Sequence, residues 1–138
     1  MKIHHIGVVC EENDLKNYFF LPKKKFTYFD KKQNNKLVIG QNKNNNLWME
    51  FIIPLNSQST VANFLKTRGP SIHHLAYYVN DINIVKKKFK KKNDYLYVNS
   101  YKIKINCFGG LVETVFFFNN NIFIEFLSKV KKKQSLKK

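Results

Sequence analysis

Short runs in which apolar and polar residues alternate recur along the chain, each closed by asparagine, lysine or glycine. Alternation with a period of two marks strands that bury one face. The first run, His4-His5-Ile6-Gly7-Val8-Val9, is followed by the acidic stretch Glu11-Glu12-Asn13-Asp14 and by a helical segment over 15–20. Three further strands are predicted over 26–32, 36–41 and 47–53, separated by Asn- and Lys-rich turns. The same order then returns. His73-His74-Leu75-Ala76-Tyr77-Tyr78-Val79 leads to Asn80-Asp81, a helix over 82–91, and strands over 95–106, 111–118 and 122–128. Asp or Asn ahead of an apolar-periodic run is the expected helix N-cap. Gly109-Gly110 and Asn119-Asn120-Asn121 separate the last strands as turn or bulge residues.

The chain is therefore an internal duplication, βαβββ followed by βαβββ. Even the last strand of each copy is echoed: Trp48-Met49-Glu50-Phe51-Ile52-Ile53 against Phe123-Ile124-Glu125-Phe126-Leu127. One α+β domain is expected over 1–128, with modules 1–54 and 71–128 joined by 55–70, which carries a short helix around 60–66. The stretch 129–138 is basic, lacks an apolar pattern, and is expected to be a disordered tail.

The repeat picks out candidate chemistry. Alternation puts His5, Gly7 and Val9 on one side of the first strand and His4, Ile6 and Val8 on the other. The second copy groups His74 with Ala76, and His73 with Leu75 and Val79. In both copies the second histidine lies beside a small residue, as expected for a strand that lines a cavity. His4 and His73 are expected as core or rim residues. Glu50 and Glu125 each interrupt an apolar strand, where a carboxylate without a partner is expensive to bury. Two glutamates at matching places, in two repeats that each supply a histidine, share a partner most simply if His5, Glu50, His74 and Glu125 hold one divalent metal ion. Two imidazoles and two carboxylates suit zinc, nickel, cobalt, manganese or iron, and suit calcium poorly.

Composition sets limits on the rest. A length of 138 residues fits one domain, and a 43% hydrophobic share supplies a real core. No apolar run approaches the roughly 20 residues that span a bilayer, and the first residues carry no secretory signal pattern. A cytoplasmic location without a membrane is expected. Cys10 and Cys107 are too few and too far apart for a disulfide framework and read as small buried thiols. The formal charge of +16 is almost all lysine, with Arg68 the only arginine. Lysine and asparagine enriched together look like the bias of an AT-rich genome. A nucleic-acid reader would use arginine more, which disfavours that role. The charge still favours an anionic small-molecule ligand. Lys86-Lys87-Lys88 and Lys90-Lys91-Lys92 read as a solvated helix face, Phe116-Phe117-Phe118 as mostly core, and Thr67-Arg68-Gly69-Pro70 as a turn whose Arg68 could meet an anion.

These residues resemble the vicinal oxygen chelate, or glyoxalase-like, superfamily, and within it the methylmalonyl-CoA epimerases. The resemblance runs from Ile3 to about Ser128. Its most specific stretches are Glu50-Phe51-Ile52-Ile53-Pro54-Leu55, Val61-Ala62-Asn63-Phe64-Leu65 and Arg68-Gly69-Pro70-Ser71-Ile72-His73-His74-Leu75-Ala76. It implies two βαβββ modules curved into a mixed sheet around a metal, a homodimer, and metal ligands at His5, Glu50, His74 and Glu125. Epimerases commonly carry glutamine where Glu50 stands, whereas glutamate there is more like glyoxalase I. The resemblance also implies a second carboxylate base on a strand of the first module. That region reads Asp30-Lys31-Lys32-Gln33-Asn34-Asn35, without a glutamate, and Asp30 is the nearest carboxylate.

The expected activity is proton abstraction next to a carbonyl, as in a metal-dependent epimerase or isomerase acting on a CoA or other acyl thioester. Glu125 and Glu50 are the expected bases, with Glu113 as an additional candidate. The alternatives are a glyoxalase I-like lactoylglutathione lyase and a non-catalytic protein of the same fold that binds a small ligand.

Overall fold

The strands of the two copies join edge to edge into one mixed sheet. The computed structural model describes residues 1–18 and 22–131. In chain order the elements are β1 (Lys2–Val9), a 3-10 helix (Glu12–Asn17), β2 (Lys25–Asp30), β3 (Asn35–Gln41), β4 (Trp48–Pro54), α1 (Ala62–Arg68) and β5 (Ser71–Tyr78). They continue with α2 (Ile82–Lys90), β6 (Leu96–Ile105), a 3-10 turn (Asn106–Phe108), β7 (Gly110–Asn119) and β8 (Ile122–Lys129). The eight strands run β2-β3-β4-β1-β5-β8-β7-β6 across a sheet that curls into a half-barrel. The expected α+β class and curved mixed sheet are what the structure contains, with a 3-10 helix in the first module where the second has α2.

The copies meet at β1 and β5, which pair antiparallel, while β1 pairs parallel with β4 and β5 parallel with β8. This is the arrangement of an internal two-fold axis between the central strands. The register carries it to individual residues. Gly7 lies between Glu50 and His74, and Ala76 lies between Glu125 and His5. Residues paired across a sheet point to the same face, so all four ligand candidates face the concave side around two small residues.

Apolar residues fill both faces. Val9, Leu37, Ile39, Ile52, Ala76, Ile105, Val112 and Leu127 pack on the concave side with Val61 and Phe108. On the convex side, α2 lays Ile82, Val85 and Phe89 against Val115, Phe117 and Phe126. Asp81 caps α2 as expected, its carboxylate accepting the amides of Asn83 and Ile84. Over the first module, Leu15 and Tyr18 pack on Val8, Phe51 and Ile53.

Several boundaries differ from expectation for local reasons. β2 stops at Asp30 rather than residue 32, because Asp30 Oδ1 accepts the amides of Lys32 and Gln33 and turns the chain. Helix α1 starts two residues late, because Ser59 and Thr60 bind Asn35, Gln33 and the amide of Val61 before the helix begins. The helix expected over 15–20 is a shorter 3-10 helix ending at Asn17, and residues 19 and 20 lie outside the described residues. At the other end the sheet continues through Lys129, and Val130 donates to Leu111, so these two residues belong to the sheet rather than to the expected tail. The remainder of that expected tail, residues 132–138, lies outside the described residues. Among the described residues, no helix is long and apolar enough to cross a membrane.

Candidate metal centre

The four ligand candidates converge. One donor atom from each of His5, Glu50, His74 and Glu125 lies within 4.8 Å of the other three, and all four residues are buried. His5 Nε2 is 3.0 Å from His74 Nε2. It is also 3.0 Å from Oε2 of both Glu50 and Glu125. His74 Nε2 is 3.2 Å and 3.1 Å from the same two oxygens. One proton on His5 Nε2 cannot serve three acceptors at once, but one cation among the four can. Donors held at about 2.1 Å from an ion lie about 3.0 Å apart at right angles, against about 3.4 Å at tetrahedral angles. The observed spacings fit four donors around one divalent ion.

The electrostatics agree with a cation at this point. Burial works against a charged His5, yet the carboxylates of Glu125 and Glu50 reverse that and raise the imidazole to about 10. Burial likewise opposes charge on Glu50, but His5 and His74 hold it down at about 2. Glu125 is also held well below the usual carboxylate range, with burial opposing and His5 then His74 prevailing. The site keeps two negative charges that need a positive partner, supplied by protons or by a metal ion. Metal loading is therefore expected to release protons at neutral pH. Because the His5 imidazole is raised, apparent metal affinity should climb with pH and approach its plateau only as pH nears about 10. Calorimetry in buffers of different ionisation enthalpy checks this; loading without proton release would contradict it.

His4 and His73 are closer to the site than strict alternation allows. The β1–β5 register shifts between Ile3 and His5 and again between Gly7 and Val8, which bulges His4 on one strand and His73 on the other. Each then turns towards its neighbour. His4 Nδ1 lies 2.9 Å from His5 Nδ1, and His73 Nδ1 lies 2.9 Å from His74 Nδ1. Burial and the adjacent histidine, His5 or His74, lower His4 to about 4 and His73 to about 3, so both rings are neutral and can accept. A neutral acceptor there places the proton of the His5 and His74 rings on Nδ1 and leaves each Nε2 facing the other three candidates. All four histidines of the chain thus belong to one site. The expectation that His4 shares the face of Ile6 and Val8 is corrected by the bulge.

Thr114 was not legible as a site residue. Its hydroxyl donates to Glu125 Oε1 at 2.5 Å, leaving Oε2 towards the histidines. The available signal was a lone hydroxyl between Val112 and Phe116, on the cavity-facing phase of β7. Gly7 is needed because the His74 ring lies directly over it; a methyl group there would overlap the ring.

A cavity of about 520 Å³, counting its mouth, opens above the four residues. Leu37, Ile52, Val112, Phe116 and Leu127 make much of it apolar, and Asp30, Gln33, Asn35 and Tyr101 supply the polar wall. Asp30 thus does reach the cavity, although its Oδ1 is engaged by two backbone amides. Burial, with Glu125 and Glu50 nearby, raises the Tyr101 phenol well above its usual range and keeps it a donor. Glu113 does not reach the cavity: it sits opposite Lys102 and Ser128 and points away, between the inward Val112 and Thr114. Arg68 is not at the site either. It lies over the Phe64 ring and donates to the carbonyl of Asn121, tying α1 to the β7–β8 turn. Cys10 is buried and its thiol is pushed up to about 12, and Cys107 is half-buried with its amide donating to Tyr28. Gly109 and Gly110, both at positive φ, turn the chain into β7.

A family model described as the Glyoxalase/Bleomycin resistance protein/Dioxygenase superfamily matches residues 4–104. The sequence matches no curated protein. Among solved structures, methylmalonyl-CoA epimerase from Mycobacterium tuberculosis is similar, with a TM-score of 0.74 at 16% identity over 94% of this chain and 88% of that one. A hypothetical protein from Bacillus halodurans has a TM-score of 0.73 at 21% identity, covering 96% and 97%. A variant of Streptomyces coelicolor methylmalonyl-CoA epimerase in complex with 2-nitronate-propionyl-CoA has 0.73 at 15%, covering 95% and 99%. At these identities the likeness shows the fold.

Proposed function

The chain belongs to the Glyoxalase/Bleomycin resistance protein/Dioxygenase superfamily, and on that premise we propose that it is a metal-dependent epimerase or isomerase. It removes a proton from carbon next to a carbonyl, on an acyl thioester or a related compound. The observation that carries this reading is the convergence of two imidazoles and two carboxylates, one of each from either module, beneath a mostly apolar cavity. A homodimer in the cytoplasm is part of the same proposal.

In this mechanism His5, Glu50, His74 and Glu125 would hold a divalent ion. The ion, when bound, acts as a Lewis acid that polarises the substrate carbonyl and stabilises the negative charge of an enolate. Glu125 takes the α-proton, while Thr114 keeps Oε1 engaged and the carboxylate aimed. Glu50, its counterpart across the internal two-fold axis, is the second candidate base, contributed by the other module. The Tyr101 phenol, held protonated, donates to a substrate oxygen. Leu37, Ile52, Val112 and Leu127 exclude water, which strengthens each of these interactions.

The test is incubation in D₂O with acyl-CoA thioesters, with and without added divalent ion, read by proton NMR. Ion-dependent deuterium incorporation at the α-carbon is the expected result. Glu50 favours one second reading, a glyoxalase I-like lyase; lactoylglutathione formation without thioester exchange would establish it in place of the first. Neither activity, with a metal ion bound, would leave a protein of this fold that binds a small ligand.

A further inference from the structure

Tyr101 enters the cavity from β6 with its ring stacked on Phe116, 6.1 Å between centroids and 12° from parallel. Stacking fixes the ring, and the direction of the hydroxyl proton is left to be set by the neighbours of the oxygen. That oxygen can both donate and accept. Burial, then Glu125 and Glu50, raise the Tyr101 phenol, while a bond from the Gln33 side chain works the other way. A bond that favours the ionised oxygen comes from a donor, here the Gln33 amide.

Behind Gln33 runs a chain of bonds that starts beside α1. The amide of Val61 donates to Ser59 Oγ at 3.1 Å, and the Ser59 hydroxyl donates to Asn35 Oδ1. Asn35 Nδ2 donates to Thr60 Oγ1 at 3.3 Å, and the Thr60 hydroxyl donates to Gln33 Oε1 at 2.9 Å. Each group passes a proton to the next, so the Gln33 oxygen is occupied and its amide is left for Tyr101. In the opposite direction the buried Ser59 hydroxyl would have no acceptor among the described residues, which is costly. The chain is not needed to hold the β2–β3 turn. Two backbone bonds already do that, from the Thr60 amide to the Gln33 carbonyl at 3.1 Å and from the Leu55 amide to the Asn34 carbonyl at 2.9 Å.

We infer that Thr60 and Asn35 are positioning residues, whose chain holds the Gln33 amide against the Tyr101 oxygen and turns the phenol proton into the cavity. The inference rests on the proposed function and deepens it. It supplies the reason why Tyr101 presents a proton, rather than a lone pair, to an oxygen bound beside the four-residue cluster.

Thr60 is exposed, so Thr60→Val keeps the side-chain shape and removes the hydroxyl with little risk to the fold, and Thr60→Ser puts the hydroxyl back. The probe is oxalate, a small oxyanion, titrated by calorimetry into zinc-loaded protein without turnover. Thr60→Val should weaken oxalate about fivefold, the worth of one hydrogen bond, and Thr60→Ser should recover it. Tyr101→Phe should weaken it too, and adding Thr60→Val to that variant should change nothing more, because the effect passes through the phenol. Equal weakening by Thr60→Val in both backgrounds, no weakening at all, or a wild type that takes up no oxalate would overturn the inference. The expected oxalate pattern in a protein without α-proton exchange would reject the proposed reaction alone.

Discussion

Glu125→Gln should lower α-proton exchange by a factor of about a thousand, within the range typical of losing a general base. Glutamine keeps the volume of the side chain, and its carbonyl can still accept from Thr114, so the fold should be retained. What is lost is the carboxylate that faces His5 and His74 and is the base in the proposed reaction. Metal affinity should fall as well, because a neutral amide replaces one of two anionic donors. Exchange is therefore to be measured at saturating metal, with bound ion counted in the same sample. Undiminished exchange by a metal-loaded variant would transfer the role of base to Glu50.

Gly7→Ala should reduce metal affinity by about a hundredfold, although position 7 carries no donor. The new methyl would occupy the space of the His74 imidazole, forcing the ring from its place 3.0 Å from His5 Nε2. Displacing a buried ring in a packed site costs about 1–3 kcal/mol in stability as well. Ala76→Gly, at the position opposite His5, removes a methyl instead of adding one and is the natural control. Chelator competition reads the affinity and thermal melting reads the stability. An unchanged affinity in Gly7→Ala would mean that His74 is not a ligand.

The duplication explains why so much of the centre was legible. His5 and His74, and Glu50 and Glu125, stand at matching places in two copies, and an internal two-fold axis must bring matching places together. Strand alternation then predicted the small neighbours correctly, and the register supplies the reason: Gly7 makes room for the ring of the other module's histidine. Where alternation failed, a bulge intervened. His4 and His73 reach the site because one extra residue on each central strand is invisible to a period of two.

The cavity wall was less legible, because it is made by long-range contacts. Thr114 binds Glu125 from the adjoining strand, and Tyr101 reaches the cavity from an edge strand 24 positions before Glu125. Asp30 was visible as the nearest carboxylate, but its engagement by the amides of Lys32 and Gln33 depends on where β2 ends. Glu113 illustrates the opposite error. It lies on the right strand in the wrong phase, and only the inward Val112 and Thr114 on either side reveal this.

His5, Glu50, His74 and Glu125 are proposed to hold one divalent ion together. Elemental analysis of the purified protein, beside His74→Ala with its fold checked by circular dichroism, tests it most directly. About one ion per wild-type chain and almost none in the folded variant are expected. A wild-type protein that stays free of metal after exposure to zinc, nickel, cobalt, manganese and iron, or a variant that binds as well as wild type, would contradict it.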